Sequence, residues 1–101
     1  MKKFNVAYIG AGRVTAHHIN LLSKSKIPLK IHAICDLDLN KARKLAFKFK
    51  KLNIKIFSNY NEMFKTCKID ITAIMTPSGM HYEHAKDIIN KYKKNIILEK
   101  P

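Results

Sequence analysis

The chain has 101 residues, 47% of them hydrophobic, and a formal net charge of +13. This length and apolar content fit one compact domain with its own core. No run approaches the roughly 18 apolar residues of a membrane-spanning helix, so we predict no membrane partner.

The positive charge comes almost entirely from lysines spread along the whole chain. Nucleic-acid binders that use such charge also carry aromatic side chains on which bases stack. The lysine clusters at 48–51 and 91–94 contain one aromatic residue each, Phe49 and Tyr92, and both lie near the expected ends of helices, where cations are favourable against the helix dipole. We therefore favour a solvated, lysine-rich surface and predict no nucleic-acid partner.

The first half of the chain alternates between two kinds of apolar pattern. "FNVAYI" (4–9) is a short apolar run that predicts a buried strand, and from Arg13 the spacing becomes helical. The residues in that spacing are Val14, His18, Leu21 and Leu22. "KIHAICD" (30–36) predicts a second strand. A second helix over 39–49, capped by Asp38, sets an apolar face against lysines.

The second half repeats the alternation. "IKIF" (54–57) predicts a third strand, followed by a short helix over 60–66 with Ser58 or Asn59 as its cap. "IDITAIM" (69–75) predicts the fourth strand. A helix over 81–92 and a fifth strand over 95–101 follow.

Strict alternation of strand and helix requires crossover connections and a parallel sheet with both faces covered. We predict an α/β fold with one doubly wound sheet in the order 3-2-1-4-5. Its ligand crevice should lie at the carboxyl ends of strands one and four.

The loop "GAGRVT" follows the first strand and opens the first helix. Gly10 would let the chain turn sharply, and Gly12 would let a diphosphate approach the main chain. The helix that starts near Arg13 and Val14 would point its N–H groups at the phosphates. Thr15 occupies a position where glycine or alanine is usual. A turn with no ligand is the alternative interpretation.

Asp36 ends the second strand, 24 residues after Gly12. From this position a carboxylate reaches both hydroxyls of the adenosine ribose, and it repels a 2′-phosphate. We predict NAD as the cofactor in preference to NADP. Arg13 could accompany the diphosphate or, as the less favoured alternative, accept the extra phosphate.

The two cysteines, Cys35 and Cys67, lie in apolar stretches without a paired spacing. We predict reduced core thiols and a cytoplasmic protein. No spacing of Cys and His predicts a metal site.

Four segments, "GAGRVTAHH", "ICDLD", "MTPSGMHYEHA" and "ILEKP", resemble in order and spacing the N-terminal domain of the Gfo/Idh/MocA family of sugar and inositol oxidoreductases. The resemblance covers the whole chain and implies a Rossmann domain that binds NAD(P). Within the family, "TPSGMH" is most similar to dehydrogenases that oxidise C3 of UDP-N-acetylglucosaminuronate.

The resemblance also implies roles for individual residues. Lys100 would be the catalytic lysine, with Glu99 and Pro101 shaping its turn. Thr76 and Pro77 would line the cofactor crevice, and His81 would lie near the substrate or the nicotinamide. The alternative is that these residues only end a strand and cap a helix, and for His81 neither interpretation is favoured. Among the remaining histidines, we expect His18 to pack against the domain and His17 to face solvent.

Family members continue into a larger α+β domain with the substrate pocket and the oligomer interface. The resemblance therefore implies that residues 1–101 form a dinucleotide-binding domain without that second domain. Alone it should bind dinucleotide weakly and turn over nothing. The full-length protein should be a homo-oligomer that acts on a sugar or nucleotide sugar. A stand-alone nucleotide-binding regulatory module and, less favoured, a basic nucleic-acid binder remain as alternatives.

Overall fold

Strands and helices alternate along the chain in the computed structural model, which describes residues 3–75, 86–87 and 95–98. The strands are β1 (Phe4–Ile9), β2 (Leu29–Cys35), β3 (Lys55–Phe57), β4 (Ile71–Ile74) and β5 (Asn95–Leu98). The described helices are α1 (Arg13–Ser23), α2 (Leu39–Lys48) and α3 (Tyr60–Thr66), with a 3-10 turn at Lys50–Leu52.

All neighbouring strands pair in parallel, in the order β3-β2-β1-β4-β5. This order confirms the predicted doubly wound α/β fold. The bounds of β1 and α3 match their predicted ranges, whereas β2 ends one residue early, at Cys35. Asp36 therefore stands just beyond the sheet.

Of the predicted helix over 81–92, the structure describes Lys86 and Asp87, and both are helical. Several predicted functional residues lie outside the described residues, namely Thr76, Pro77, His81, Glu99, Lys100 and Pro101.

Two apolar clusters cover the two faces of the sheet, because successive side chains of a strand point to opposite sides. On one face, α3 contributes Met63 to a cluster with Ala7, Ile9, Ala33, Cys35, Cys67, Ile69 and Ile74. On the other, α1 and α2 pack on Val6, Tyr8, Ile31, Ile34 and Ala73 through Ile19, Ala42 and Leu45. No helix within the described residues is both long and apolar enough to cross a membrane.

The buried face of α1 differs from the apolar spacing that predicted the helix. Thr15 and Ile19 are the buried residues, whereas Val14 and Leu21 are 49% and 54% exposed. A threonine can replace an apolar residue here because its hydroxyl has a partner, the Gly10 carbonyl at 2.6 Å. Hydrogen bonding thus offsets the cost of burying a polar group.

His18 is half-buried on α1, and its Nδ1 lies 2.7 Å from the Tyr8 hydroxyl. The two rings meet edge to face with centroids 5.6 Å apart. Burial raises the pKa of Tyr8, which keeps the phenol neutral. The prediction that His18 packs against the domain is confirmed, and His17 is exposed as predicted.

Two fully buried threonines form a matched pair for a stability test. Thr15 donates its hydroxyl to the Gly10 carbonyl, while the Thr72 hydroxyl on β4 has no hydrogen-bond partner among the residues that the structure describes. We expect Thr72→Val to increase the free energy of unfolding by up to about 1 kcal/mol, because it removes an unpaired hydroxyl. Thr15→Val should decrease it by about 1–3 kcal/mol, because it leaves a buried carbonyl unpaired. Urea unfolding measures both values; equal destabilisation by the two variants would contradict this account.

Candidate functional site

The loop between β1 and α1 lies where the carboxyl ends of β1, β2 and β4 meet. The Gly10 N–H donates to the Cys35 carbonyl at 2.7 Å, which joins the loop to the end of β2. On the other side, the Met75 N–H donates to the Ile9 carbonyl at 2.7 Å. Here α1, which follows β1, covers one face of the sheet, and α3, which follows β3, covers the other. In such a sheet the ligand crevice is expected at the carboxyl ends of the strands, where this loop lies.

Gly10 makes the turn out of β1 with a φ of 106°, in the region that favours glycine. Its carbonyl accepts the Thr15 hydroxyl one turn into α1. This bond joins the two ends of the turn. It also explains why threonine is tolerated where glycine or alanine is usual.

Gly12 is the N-cap residue of α1 and is exposed, with φ −91° and ψ −166°. Any residue can adopt this extended conformation. Apart from its own chain neighbours, no atom of the described residues lies within 4 Å of a Cβ added at Gly12. Packing within the described chain therefore does not require glycine here, whereas a ligand lying against the main chain would.

The amino end of α1 is electrostatically unlike those of the other helices. Asp38 caps α2 by accepting from the Asn40 N–H, and Asn59 caps α3 in the same way. In α1 no side chain caps the end and no acidic residue lies in the first turn. Arg13, the first helical residue, is exposed. The main-chain N–H groups and the helix dipole thus favour an anion at this end, and Arg13 adds a positive charge in the same turn.

Asp36 faces this loop from the end of β2. Its Oδ2 accepts from the Ala11 N–H and its Oδ1 from the Asp38 N–H, each at 2.8 Å. Each carboxylate oxygen has a second lone pair, so both can also accept from hydroxyl groups of a ligand. The structure thus brings together Gly10, Gly12, Arg13 and Asp36.

Two exposed apolar side chains border the same edge. Val14, a predicted cofactor residue, is 49% exposed in the first turn of α1. Leu37, which was not predicted as a site residue, is 85% exposed directly after Asp36. The position of an apolar residue directly after Asp36 could have indicated Leu37 from the sequence, since an exposed leucine offers a surface to a flat apolar ring.

Cys35 lies directly beneath the loop, and both cysteines are free and buried. Burial, together with the neighbouring Asp36 charge, raises the pKa of the Cys35 thiol to about 12. The predicted core position of both cysteines is confirmed, and their reduced state stays a prediction. Within the described ranges, no group of three or more His, Cys, Asp or Glu side chains could hold a metal ion.

Comparison with known proteins gives a consistent picture. Residues 4–101 match the sequence model of the Gfo/Idh/MocA family, described as an oxidoreductase family with an NAD-binding Rossmann fold. A D-glucoside 3-dehydrogenase of Escherichia coli is 32% identical over 79 residues, which are 78% of this chain and 22% of that protein.

Solved structures share the fold over nearly the whole chain. A myo-inositol 2-dehydrogenase from Lactobacillus plantarum superposes with a TM-score of 0.80 at 30% identity, over 99% of this chain and 29% of that one. The WlbA dehydrogenase from Chromobacterium violaceum, solved with NADH and UDP-GlcNAcA, gives 0.87 at 22% identity, over 100% and 28%. The chain thus spans less than a third of the length of each of these relatives.

The matching family binds NAD, and the loop fits this cofactor. The open space over Gly12 and the uncapped end of α1 suit the diphosphate, and the remaining lone pairs of Asp36 suit the ribose hydroxyls. The prediction of NAD as cofactor is confirmed.

Gly12→Ser separates ligand binding from folding. The Cβ of the new side chain has open space and its hydroxyl can cap α1, so we expect the free energy of unfolding to rise by a few tenths of a kcal/mol. Calorimetric NAD affinity should nevertheless fall at least about tenfold, because the side chain occupies the diphosphate space. The contrasting variant Gly10→Ser should cost at least about 1 kcal/mol through its positive φ. Unchanged NAD affinity in a folded Gly12→Ser chain would contradict the site.

Thiol reactivity provides a second test. At about pH 8 the native chain should resist alkylation at Cys35 and Cys67, because both are buried and the raised pKa of Cys35 keeps that thiol protonated. Both should react in urea. Mass spectrometry after a timed reaction gives the result; rapid labelling of native Cys35 would refute the described packing beneath the loop.

Proposed function

Because the chain belongs to the Gfo/Idh/MocA family of oxidoreductases, we propose that it forms the cofactor-binding part of a dehydrogenase acting on a sugar or nucleotide sugar. The observation that carries the proposal is the loop itself. It combines an open main-chain cradle at Gly12 with a fixed carboxylate at Asp36. A dinucleotide domain needs both, since one receives the diphosphate and the other the ribose.

The substrate class rests on the relatives. Their names give a D-glucoside and myo-inositol as substrates, and the WlbA structure holds UDP-GlcNAcA. These are polyhydroxylated rings with secondary alcohols. We therefore propose a secondary alcohol of a sugar ring as the group oxidised. The segment "TPSGMH" favours C3 of UDP-N-acetylglucosaminuronate within this class.

Bound NAD supplies a hydride acceptor. The hydroxyl group must also lose its proton, and we propose that Lys100 orients this hydroxyl and takes that proton. Lys100 follows Leu98, the last residue of β5, by two positions. Glu99 and Pro101 would fix its turn, and Thr76, Pro77 and His81 would border the crevice after β4.

The proposal extends to the rest of the protein. We propose that residues 1–101 are the dinucleotide-binding domain, and that a second domain provides the substrate pocket and a homo-oligomer interface. The buried free thiols Cys35 and Cys67 support a cytoplasmic location, where thiols stay reduced.

Lys100→Met tests the catalytic assignment in an enzyme that contains both the cofactor and the substrate domain. We expect kcat for the sugar to fall at least about 100-fold, because proton transfer by a positioned group contributes that much. NAD affinity should change little. The matched control is Lys65→Met, at an exposed position on α3, which should keep full activity. NADH formation followed by absorbance gives kcat, and a Lys100→Met enzyme within a few-fold of wild type would refute the role.

A further inference from the structure

Asp36 is fixed from three directions before any cofactor binds. Its main-chain N–H donates to the Phe57 carbonyl of β3 at 3.0 Å. Its carboxylate accepts the Ala11 N–H of the loop and the Asp38 N–H of the turn into α2, at 2.8 Å each. Neither carboxylate oxygen can turn away without losing a charge-assisted hydrogen bond.

The bond to Ala11 matters for the loop. Ala11 stands between Gly10 and Gly12, the two residues that shape the cradle. Apart from the bond of the Gly10 N–H to Cys35, this is the contact that holds the described loop to the end of β2. Hydrogen bonds to a charged group are stronger than those between neutral groups, so loss of the carboxylate should loosen the loop at Ala11.

The same bonds bear on the choice of nucleotide. A ribose 2′-hydroxyl can donate to the free lone pairs of Asp36 while both N–H bonds persist. A 2′-phosphate is an anion and an acceptor, so it would force the carboxylate to move. That movement would break the bonds to Ala11 and Asp38 and would disturb the cradle for the diphosphate.

We propose that Asp36 is a positioning residue for the glycine loop, and that this second role ties the preference for NAD to the shape of the loop. The inference rests on the proposed function, in which the adenosine ribose lies at Asp36. Its consequence is that removing the carboxylate does not create an NADP-binding domain. The variant loses affinity for NAD without gaining it for NADP.

The first measurement needs no cofactor. In Asp36→Ala, hydrogen exchange at the Ala11 amide, followed by NMR in the free chain, should be at least about tenfold faster than in wild type. Asp38→Ala is the matched control. It removes the side-chain cap of α2 but keeps the main-chain N–H that Asp36 accepts, so exchange at Ala11 should stay within about twofold.

Asp36→Asn provides a variant of nearly the same shape. Its single carbonyl oxygen can accept one of the two N–H groups, so Ala11 exchange should fall between the wild-type and Asp36→Ala rates. A graded response indicates positioning by the carboxylate, whereas equal exchange at Ala11 in all three folded chains would overturn the proposal.

Calorimetry with NAD and NADP completes the test. We expect Asp36→Asn to bind NAD at least about tenfold more weakly than wild type and to bind NADP no better. An NADP affinity equal to the wild-type affinity for NAD would overturn the link to specificity, because simple repulsion would then explain the choice. If wild type bound no NAD while Ala11 exchange still depended on Asp36, the ribose assignment would fail and the positioning role would stand.

Discussion

The reversal of the chain at Gly10 is the constraint on which the rest of the site depends. The strand must leave the sheet and enter a helix within three residues, which requires a positive φ at Gly10. Three hydrogen bonds then hold the turn, from Gly10 to Cys35, from Thr15 to Gly10 and from Ala11 to Asp36. Two of them join the loop to the end of β2. The cradle is therefore a product of the parallel pairing of β1 with β2.

The electrostatics of the site follow from this geometry. Because the turn ends on a glycine, α1 begins without a side-chain cap and with an exposed Arg13. A negative charge is favoured at that point, while the fixed carboxylate of Asp36 disfavours one a short distance away. The site is thus suited to a diphosphate at one end and to hydroxyl groups at the other. NAD, the cofactor of this family, has both features.

Hydrophobic periodicity predicted the architecture because each strand is short, apolar and bounded by polar residues. Strict alternation of strand and helix indicated a doubly wound sheet, whose usual order gave the predicted strand order, and the structure confirms it. Gly10, Gly12 and Asp36 were also identified from the sequence. The two glycines mark the turn after the first strand, and Asp36 marks the end of the second. Their binding roles rest on the family match and the geometry together.

Other features could not be predicted, for identifiable physical reasons. The buried face of α1 was misplaced because Thr15 is polar by composition but has its hydroxyl paired in the fold. The hydrogen bond from the Ala11 N–H to the Asp36 carboxylate joins residues 25 positions apart. Its donor is a main-chain group, so the type of residue at position 11 does not indicate it. Such contacts depend on the register of β1 against β2, a tertiary property.

The central claim is that the described loop is the place where the dinucleotide binds. A crystal structure of the chain with NAD tests it most directly. We expect the diphosphate against the Gly12 main chain at the start of α1, and the adenosine ribose hydroxyls on the Asp36 carboxylate with its bond to Ala11 intact. Nucleotide density elsewhere on the molecule, or a cleft over Gly12 filled by the chain's own side chains, would contradict the account.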